Sequence, residues 1–260
     1  MEFKTLFIFI ILNSFSCNNN AGSSAGKNAA ITNTKENNPY EHIKNIPLPA
    51  GFERINCFQD SFACYLRNIE LKKDRTVYLF NRQPKANQSA QFAVLNITVS
   101  NKDLQQCADA VMRLRAEFLY TQKEFEQIIF FDNSSTVYKF SLPYTRGHFS
   151  TYLNKVFGMC GTASLSRQLK HVDEFDQIMP GDVLIRGGFP GHAVIVTDVA
   201  VNDEGEKIYL LAQGYMPAQD IHLLINPEKE SLSPWYEVNN HSDIIQTPEY
   251  SFTKRELKRW

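Results

Sequence analysis

The chain has 260 residues, 27 basic against 28 acidic side chains for a formal net charge of −1, and 43% hydrophobic residues. Charges of both signs are mixed throughout, so nothing points to electrostatic binding of nucleic acid, and no aromatic-basic RNA motif is present. The length suffices for one large domain with a sizeable core.

The N-terminus reads MEFKTLFIFIILNSFSCNNNAGSSAGKN: one lysine, an apolar stretch over residues 5–12, small residues at Ser14 and Ser16, then Cys17. That is the pattern of a secretory signal, and its apolar stretch is shorter than the roughly 20 residues that usually span a bilayer. Ser16-Cys17 resembles the cleavage and lipidation site of bacterial lipoproteins, although Ser14 and Phe15 depart from the usual pattern. The expectation is a signal peptide at residues 1–16, lipid on Cys17 as the membrane anchor, and a place in the bacterial cell envelope, periplasmic or at the cell surface. Residues 17–44 are polar and Gly/Ser/Asn-rich, which predicts a flexible tether. A single domain over residues 45–260 is left.

Within that domain the patterning predicts a helix at residues 61–69, strands at 76–81 and 91–99, and then the clearest helix, in NKDLQQCADAVMRLRAEFLYTQK. There Asp103 is the expected N-cap, with Gln106 three residues on. Leu104, Cys107, Ala108, Val111, Leu114 and Phe118 recur at helical steps and define its buried face. A strand at IIFF, a helix at 149–157 and two apolar runs around His192 follow, and KIYLLAQGYM is the last clear strand before a tail with SPWYEV and KRELKRW. Helices first and consecutive strands later indicate the α+β class.

Five cysteines are present, at positions 17, 57, 64, 107 and 160. Cys57 and Cys64 are close enough in sequence to pair in an oxidising compartment. The same stretch also reads as a turn entering an amphipathic helix that buries Cys64. No CxxC occurs, so a structural zinc site has no ligand pattern.

Cys107 sits in the first turn of its helix, where unpaired N–H groups and the macrodipole are expected to lower a thiol pKa. Its place on the apolar face is equally that of a buried structural cysteine. In PGDVLIRGGFPGHAVIVTDVA a glycine turn delivers His192 to the start of a buried strand; NDEG turns the chain and EKIYLLAQGYM returns. A four-residue loop at 202–205 pairs Val201 with Glu206, Val194 with Gln213 and His192 with Tyr215. Gln213 then lies diagonal to His192 and can orient it.

A helix-borne thiol followed by GDVLI, GHAVIV and a polar residue on the next strand resembles the NlpC-type and CHAP-type cysteine peptidases and amidases that cut cell-wall peptides. The resemblance implies a papain-like core, with the Cys-bearing helix packed on a mainly antiparallel sheet. It also implies Cys107 as nucleophile, His192 as base and Gln213 as orienting residue, although QQCADA departs from the usual Asp-Cys-Ser-Gly motif. The phrases SFACYLRNIELK, DLQQCADAVMRLRAEFLY, GTASLSRQL, LLAQGYMPAQDIHLLINP and SPWY are similar to those of a lipoprotein family catalogued as domain of unknown function 4846, which implies no activity by itself.

Asp182 is expected to fix the PGDV turn, and Gly187, Gly188 and Gly191 to form a tight turn, since no helix follows them. Asp109–Arg113 and Arg113–Glu117 have ion-pair spacing, and His222 alternates with apolar neighbours as a surface strand residue does. Arg113, Tyr215 and Gln219 are candidates for substrate contact. No cofactor is implied. The functional expectations are a cysteine hydrolase acting on peptidoglycan peptides, a non-catalytic lipoprotein that binds a wall fragment or envelope partner, and a metal hydrolase using His192, His222 and an aspartate.

Overall fold

The run HAVIVTDVA is apolar on both faces, and it forms the centre of the molecule because both faces are covered. A computed structural model describes residues 37–239 and 241–260 of the chain. The signal peptide, Cys17 and most of the tether lie outside the described residues. The packed region begins before residue 45: Asn38 is buried and holds the carbonyls of Tyr40 and Lys72, and Ile43 is fully buried.

Among the described residues four α-helices are formed: α1 Phe62–Arg67, α2 Cys107–Thr121, α3 Arg146–Met159 and α4 Thr162–Gln168. The strands are β1 Phe52–Arg54, β2 Gln91–Val94, β3 Ile129–Phe131, β4 Val137–Lys139, β5 Lys170–His171, β6 Val183–Arg186, β7 His192–Asn202, β8 Lys207–Gln213, β9 His222–Leu224, β10 Tyr236–Glu237, β11 Ile244–Gln246, β12 Ser251–Thr253 and β13 Leu257–Arg259. The main sheet runs β2-β9-β8-β7-β6-β13-β5, with β1 beside the second half of β7 and β10 beside β8. Its pairs are antiparallel. The fold is therefore α+β with a mainly antiparallel sheet. Among the described residues no helix is long and apolar enough to cross a membrane.

One face of β7, through Ala193, Ile195 and Ala200, packs on the helices, including Ala108, Val111 and Leu114 of α2. The other, through Val194, Val196 and Val199, packs under the β11–β12 hairpin against Ile245 and Phe252.

Several expectations change. The predicted strand at 76–81 is irregular, keeping only bridges from Tyr78 to Pro84 and from Leu79 to Gln219, because the Tyr78 N–H is taken by the Asp220 carboxylate. The strand at 91–99 stops at Val94. GTASLSRQL, whose small and hydroxylated residues give little periodicity, forms α4. The C-terminal segment is no tail: β13 is inserted between β6 and β5, and Arg259 holds Asp182 at 2.6 and 2.7 Å. Asp182 also accepts from the Met179 N–H at 2.8 Å, the turn-fixing role expected of it.

The β7–β8 hairpin opens with Val201 opposite Lys207, one residue away from the expected Glu206. A bulge between Val196 and Asp198 takes up that residue, so Ile195 faces Ala212 and the register toward His192 is the expected one. The bulge also turns Asp198, fully buried, toward the helix side, where its carboxylate meets Arg54 at 2.7 Å and Arg67 at 2.8 Å. Arg54 belongs to β1 and Arg67 closes α1, so this one carboxylate ties both to β7. Replacing Asp198 with Ala strands two partly buried guanidinium groups, and the expected loss in stability is about 3–5 kcal/mol. Denaturant unfolding of Asp198→Ala beside wild type checks this, and a loss below about 1 kcal/mol, the range of an exposed pair, would contradict it.

Candidate functional site

Helix α2 starts at Cys107, three residues later than the Asp103 cap implies. Its N-cap is Gln106, whose N–H is held at 3.0 Å by the Asp109 carboxylate folding back from the first turn. Asp103 instead accepts from the Ala218 N–H at 2.6 Å and from the Gln106 amide at 3.2 Å, tying the chain before the helix to the loop after β8. Cys107 is thus the first helical residue. The close approach of α2 to that loop needs a glycine: a Cβ at Gly214 would lie 2.9 Å from the Gln106 carbonyl and 3.0 Å from the Ala110 side chain.

On the other strand, Gly191 makes the turn into β7, where a Cβ would come within 2.5 Å of Thr162 Oγ1. His192 follows, nearly fully buried, on the hairpin side of the sheet, its ring 4.9 Å from that of Tyr215, 5.0 Å from Tyr250 and 5.8 Å from Phe252. Its Nε2 lies 2.8 Å from Gln213 Oε1. An amide oxygen only accepts, so Nε2 carries the proton and Nδ1 keeps a lone pair.

Cys107 and His192 line one cavity of about 370 Å³, together with Phe157, Cys160, Phe189, Tyr215, Met216 and Tyr250 among others. They line it from different sides of the sheet, α2 packing on the helix face and the imidazole lying on the hairpin face. The backbone N–H groups of Ala108 and Ala193 lie near enough to the thiol to favour its ionised form, and the side-chain hydrogen bond of the imidazole is to Gln213. The Ala193 contact places the sulfur beside the residue that follows the histidine. A larger groove of about 590 Å³ runs along Lys207, Lys229, Glu237 and His241, but it holds no nucleophile paired with a base.

Burial governs the titrations. It pushes the Cys107 thiol up, outweighing the N–H contacts that would lower it, which reverses the expected lowering at a helix start. Burial brings His192 down to about 4, and the neighbouring Asp109 well above the usual carboxylate range. At neutral pH the thiol and the imidazole are therefore uncharged, and burial disfavours the ionised form of Asp109.

Behind Gln213 stand Glu249, Lys85 and Asn87, which were not singled out in the sequence, and His222, which was. Gln213 Nε2 donates to Glu249 at 2.8 Å and lies 3.2 Å from His222 Nε2; Glu249 is paired with Lys85 at 2.6 Å and accepts from Asn87 at 3.1 Å. His222 is not a surface residue: it is fully buried directly across from Gln213 on β9, with Nδ1 2.9 Å from the Asp220 carbonyl.

Of the expected substrate contacts, Tyr215 lines the cavity and the other two do not. Arg113 is spent on Glu117 at 2.9 Å and Gln105 at 3.0 Å, and Asp109 serves the helix cap rather than Arg113. Gln219 is buried elsewhere, beside Leu79. The metal expectation loses its ligands, because His192 and His222 both direct Nε2 at Gln213 and, among the described residues, no three His, Cys, Asp or Glu converge as a metal site. Cys57 and Cys64 are unpaired thiols.

Residues 43–141 and 131–259 match the family described as Domain of unknown function (4846). The chain belongs to this family. No curated protein matches the chain, and neither does any solved structure. Family membership assigns no chemistry, so the site's own geometry carries the functional reading.

Two buried imidazoles with pKa values near 4, against 6.5 when exposed, have a consequence for stability. The unfolded chain binds these protons first, so their contribution is complete above pH 6.5 and is lost as pH falls toward 4. A His222→Gln variant, with nothing to protonate there, should lose less stability than wild type between neutral pH and that range. Equal losses in denaturant midpoints would contradict the buried neutral state of His222.

Proposed function

We propose that the protein is a papain-like cysteine hydrolase of the peptidase or amidase type, anchored by lipid on Cys17 in the bacterial cell envelope. The observation that carries the reading is the hydrogen bond of His192 Nε2 to Gln213 at 2.8 Å, which leaves Nδ1 as a base in the cavity that also holds the thiol of a helix-initial cysteine.

In this reading the Cys107 sulfur attacks the substrate carbonyl carbon while its proton passes to His192 Nδ1. The proton moves on to the leaving nitrogen as the C–N bond breaks, giving a thioester. Water then attacks the thioester, the C–S bond breaks, and the proton returns to sulfur. N–H groups at the start of α2, which the helix itself cannot pair, are the donors available to the oxyanion. Because thiol and imidazole both rest neutral, the proton moves during attack rather than before it.

The cavity lining includes no Lys or Arg, and burial disfavours the charged forms of its Asp109 and His192. A charged group bound there would be desolvated without a partner, so the acyl side of the substrate is uncharged. Wall peptides fit through their neutral residues rather than their carboxylate ends. A second reading, a non-catalytic lipoprotein that binds a wall fragment or envelope partner in the same cavity, is favoured by one observation: the side-chain hydrogen bond of the imidazole goes to Gln213 and not to the thiol.

Digestion of purified cell wall, and of chromogenic anilides with neutral or carboxylate-bearing acyl groups, separates the two. Cys107→Ala and His192→Ala are each expected to abolish release, and neutral anilides to be preferred. Equal digestion by wild type and Cys107→Ala would overturn the hydrolase. Saturable wall binding that survives both substitutions, without turnover, would establish the second reading.

A further inference from the structure

The Gln213 amide can meet His192 with either end. If Oε1 faces the ring, Nε2 of the imidazole must hold the proton and Nδ1 is a base. If the NH₂ faces it, the tautomer reverses and Nδ1–H can no longer accept the thiol proton. What lies behind Gln213 therefore decides whether His192 can act, and those groups come from chain segments far from the catalytic motif.

Both amide hydrogens have acceptors waiting on that far side. Glu249, in the turn between β11 and β12, lies 2.8 Å from Gln213 Nε2. Burial would raise its carboxyl, but the Lys85 ammonium and the Asn87 amide more than offset this and hold it below the usual range, so it presents an ionised acceptor. His222 lies 3.2 Å from the same nitrogen through Nε2. Its Nδ1 is 2.9 Å from the Asp220 carbonyl, which can only accept, so Nδ1 carries the proton and Nε2 is the acceptor. A flipped amide would turn its oxygen toward a carboxylate and an imidazole lone pair, three acceptors with no proton between them.

We propose that Glu249, clamped by Lys85, and His222 are positioning residues that claim both amide hydrogens of Gln213 and so hold His192 in the tautomer whose Nδ1 is free. The proposal rests on the reading of His192 as base, but it concerns a tautomer that can be measured without turnover. The ion pair matters because a buried carboxylate deprived of Lys85 would take up a proton and become a donor, which rewards the flipped amide. Lys85 and Glu249, 164 residues apart, thereby link the loop before β2 to the hairpin that covers His192.

The test is the tautomer of His192 in ¹⁵N-histidine-labelled full-length protein carrying Cys107→Ala, with the ring nitrogens assigned by a His192→Gln control. The parent should show Nε2–H. Glu249→Met and His222→Leu should each move the ratio toward Nδ1–H by about tenfold, the worth of one such hydrogen bond, and Lys85→Met should do the same. Glu249→Gln, which keeps an acceptor oxygen, should restore the parent ratio. With Cys107 present, the same three substitutions should lower kcat more than they raise KM, and Glu249→Gln should retain turnover. An Nδ1–H parent, or a ratio unmoved in Glu249→Met and His222→Leu, would overturn the proposal. Tautomer shifts as expected with no hydrolysis by any form would uphold the proposal while sinking the hydrolase.

Discussion

A single side-chain amide, that of Gln213, is the point on which the candidate site depends. Its oxygen meets His192 and its nitrogen meets Glu249 and His222. These groups belong to the start of β7, the end of β8, the start of β9 and the β11–β12 turn, and Lys85 adds a fifth segment behind them. A buried amide with every hydrogen bond made can adopt one orientation at low energy; with one missing, it becomes an expensive defect. The sheet order β9-β8-β7 brings the polar side chains together, and the hairpin over that face excludes water from them.

The same face shows why the thiol and the imidazole enter one cavity from different sides of the sheet. Side chains alternate along β7, so His192 shares the hairpin side with Val194 and Val196, while α2 packs against Ala193 and Ile195 on the other. Only at the strand's end, where β8 has finished and Gly214 admits the helix start, can Cys107 reach the same cavity. The Asp198 ion pairs fix β7 from its middle, and the bulge beside it sets both the direction of that carboxylate and the register of Gln213.

Much of this was legible in the sequence where the signal is local and periodic. The apolar face of α2 and the run through β7 follow from spacing, whereas Cys107, His192 and Gln213 were drawn together by the resemblance to NlpC-type and CHAP-type peptidases and by a trial hairpin register. The diagonal placement of Gln213 emerged despite a hairpin that opens one residue off, since slipping by one would have moved a whole buried face into the wrong layer. Other features were illegible for physical reasons. Asp103 looks like a cap because it has cap chemistry, but tertiary contact with Ala218 uses it instead. His222 alternates with apolar residues as an exposed strand residue would, and only the covering hairpin makes it buried. Lys85 and Glu249 are ordinary loop charges until folding joins them. Arg113 and Gln219 carry suitable functional groups but are spent or buried away from the cavity, and burial reversed the lowered thiol pKa that the helix start suggested.

The central claim is that Cys107 is a nucleophile activated by His192. It is tested most directly by an acyl-transfer probe with a neutral acyl group, followed by mass mapping of the thioester it leaves. The account predicts acylation confined to Cys107 in wild type and lost in His192→Ala, with Cys57, Cys64 and Cys160 unlabelled. Acylation of Cys107 that persists unchanged in His192→Ala, or labelling spread over the other three thiols, would contradict it.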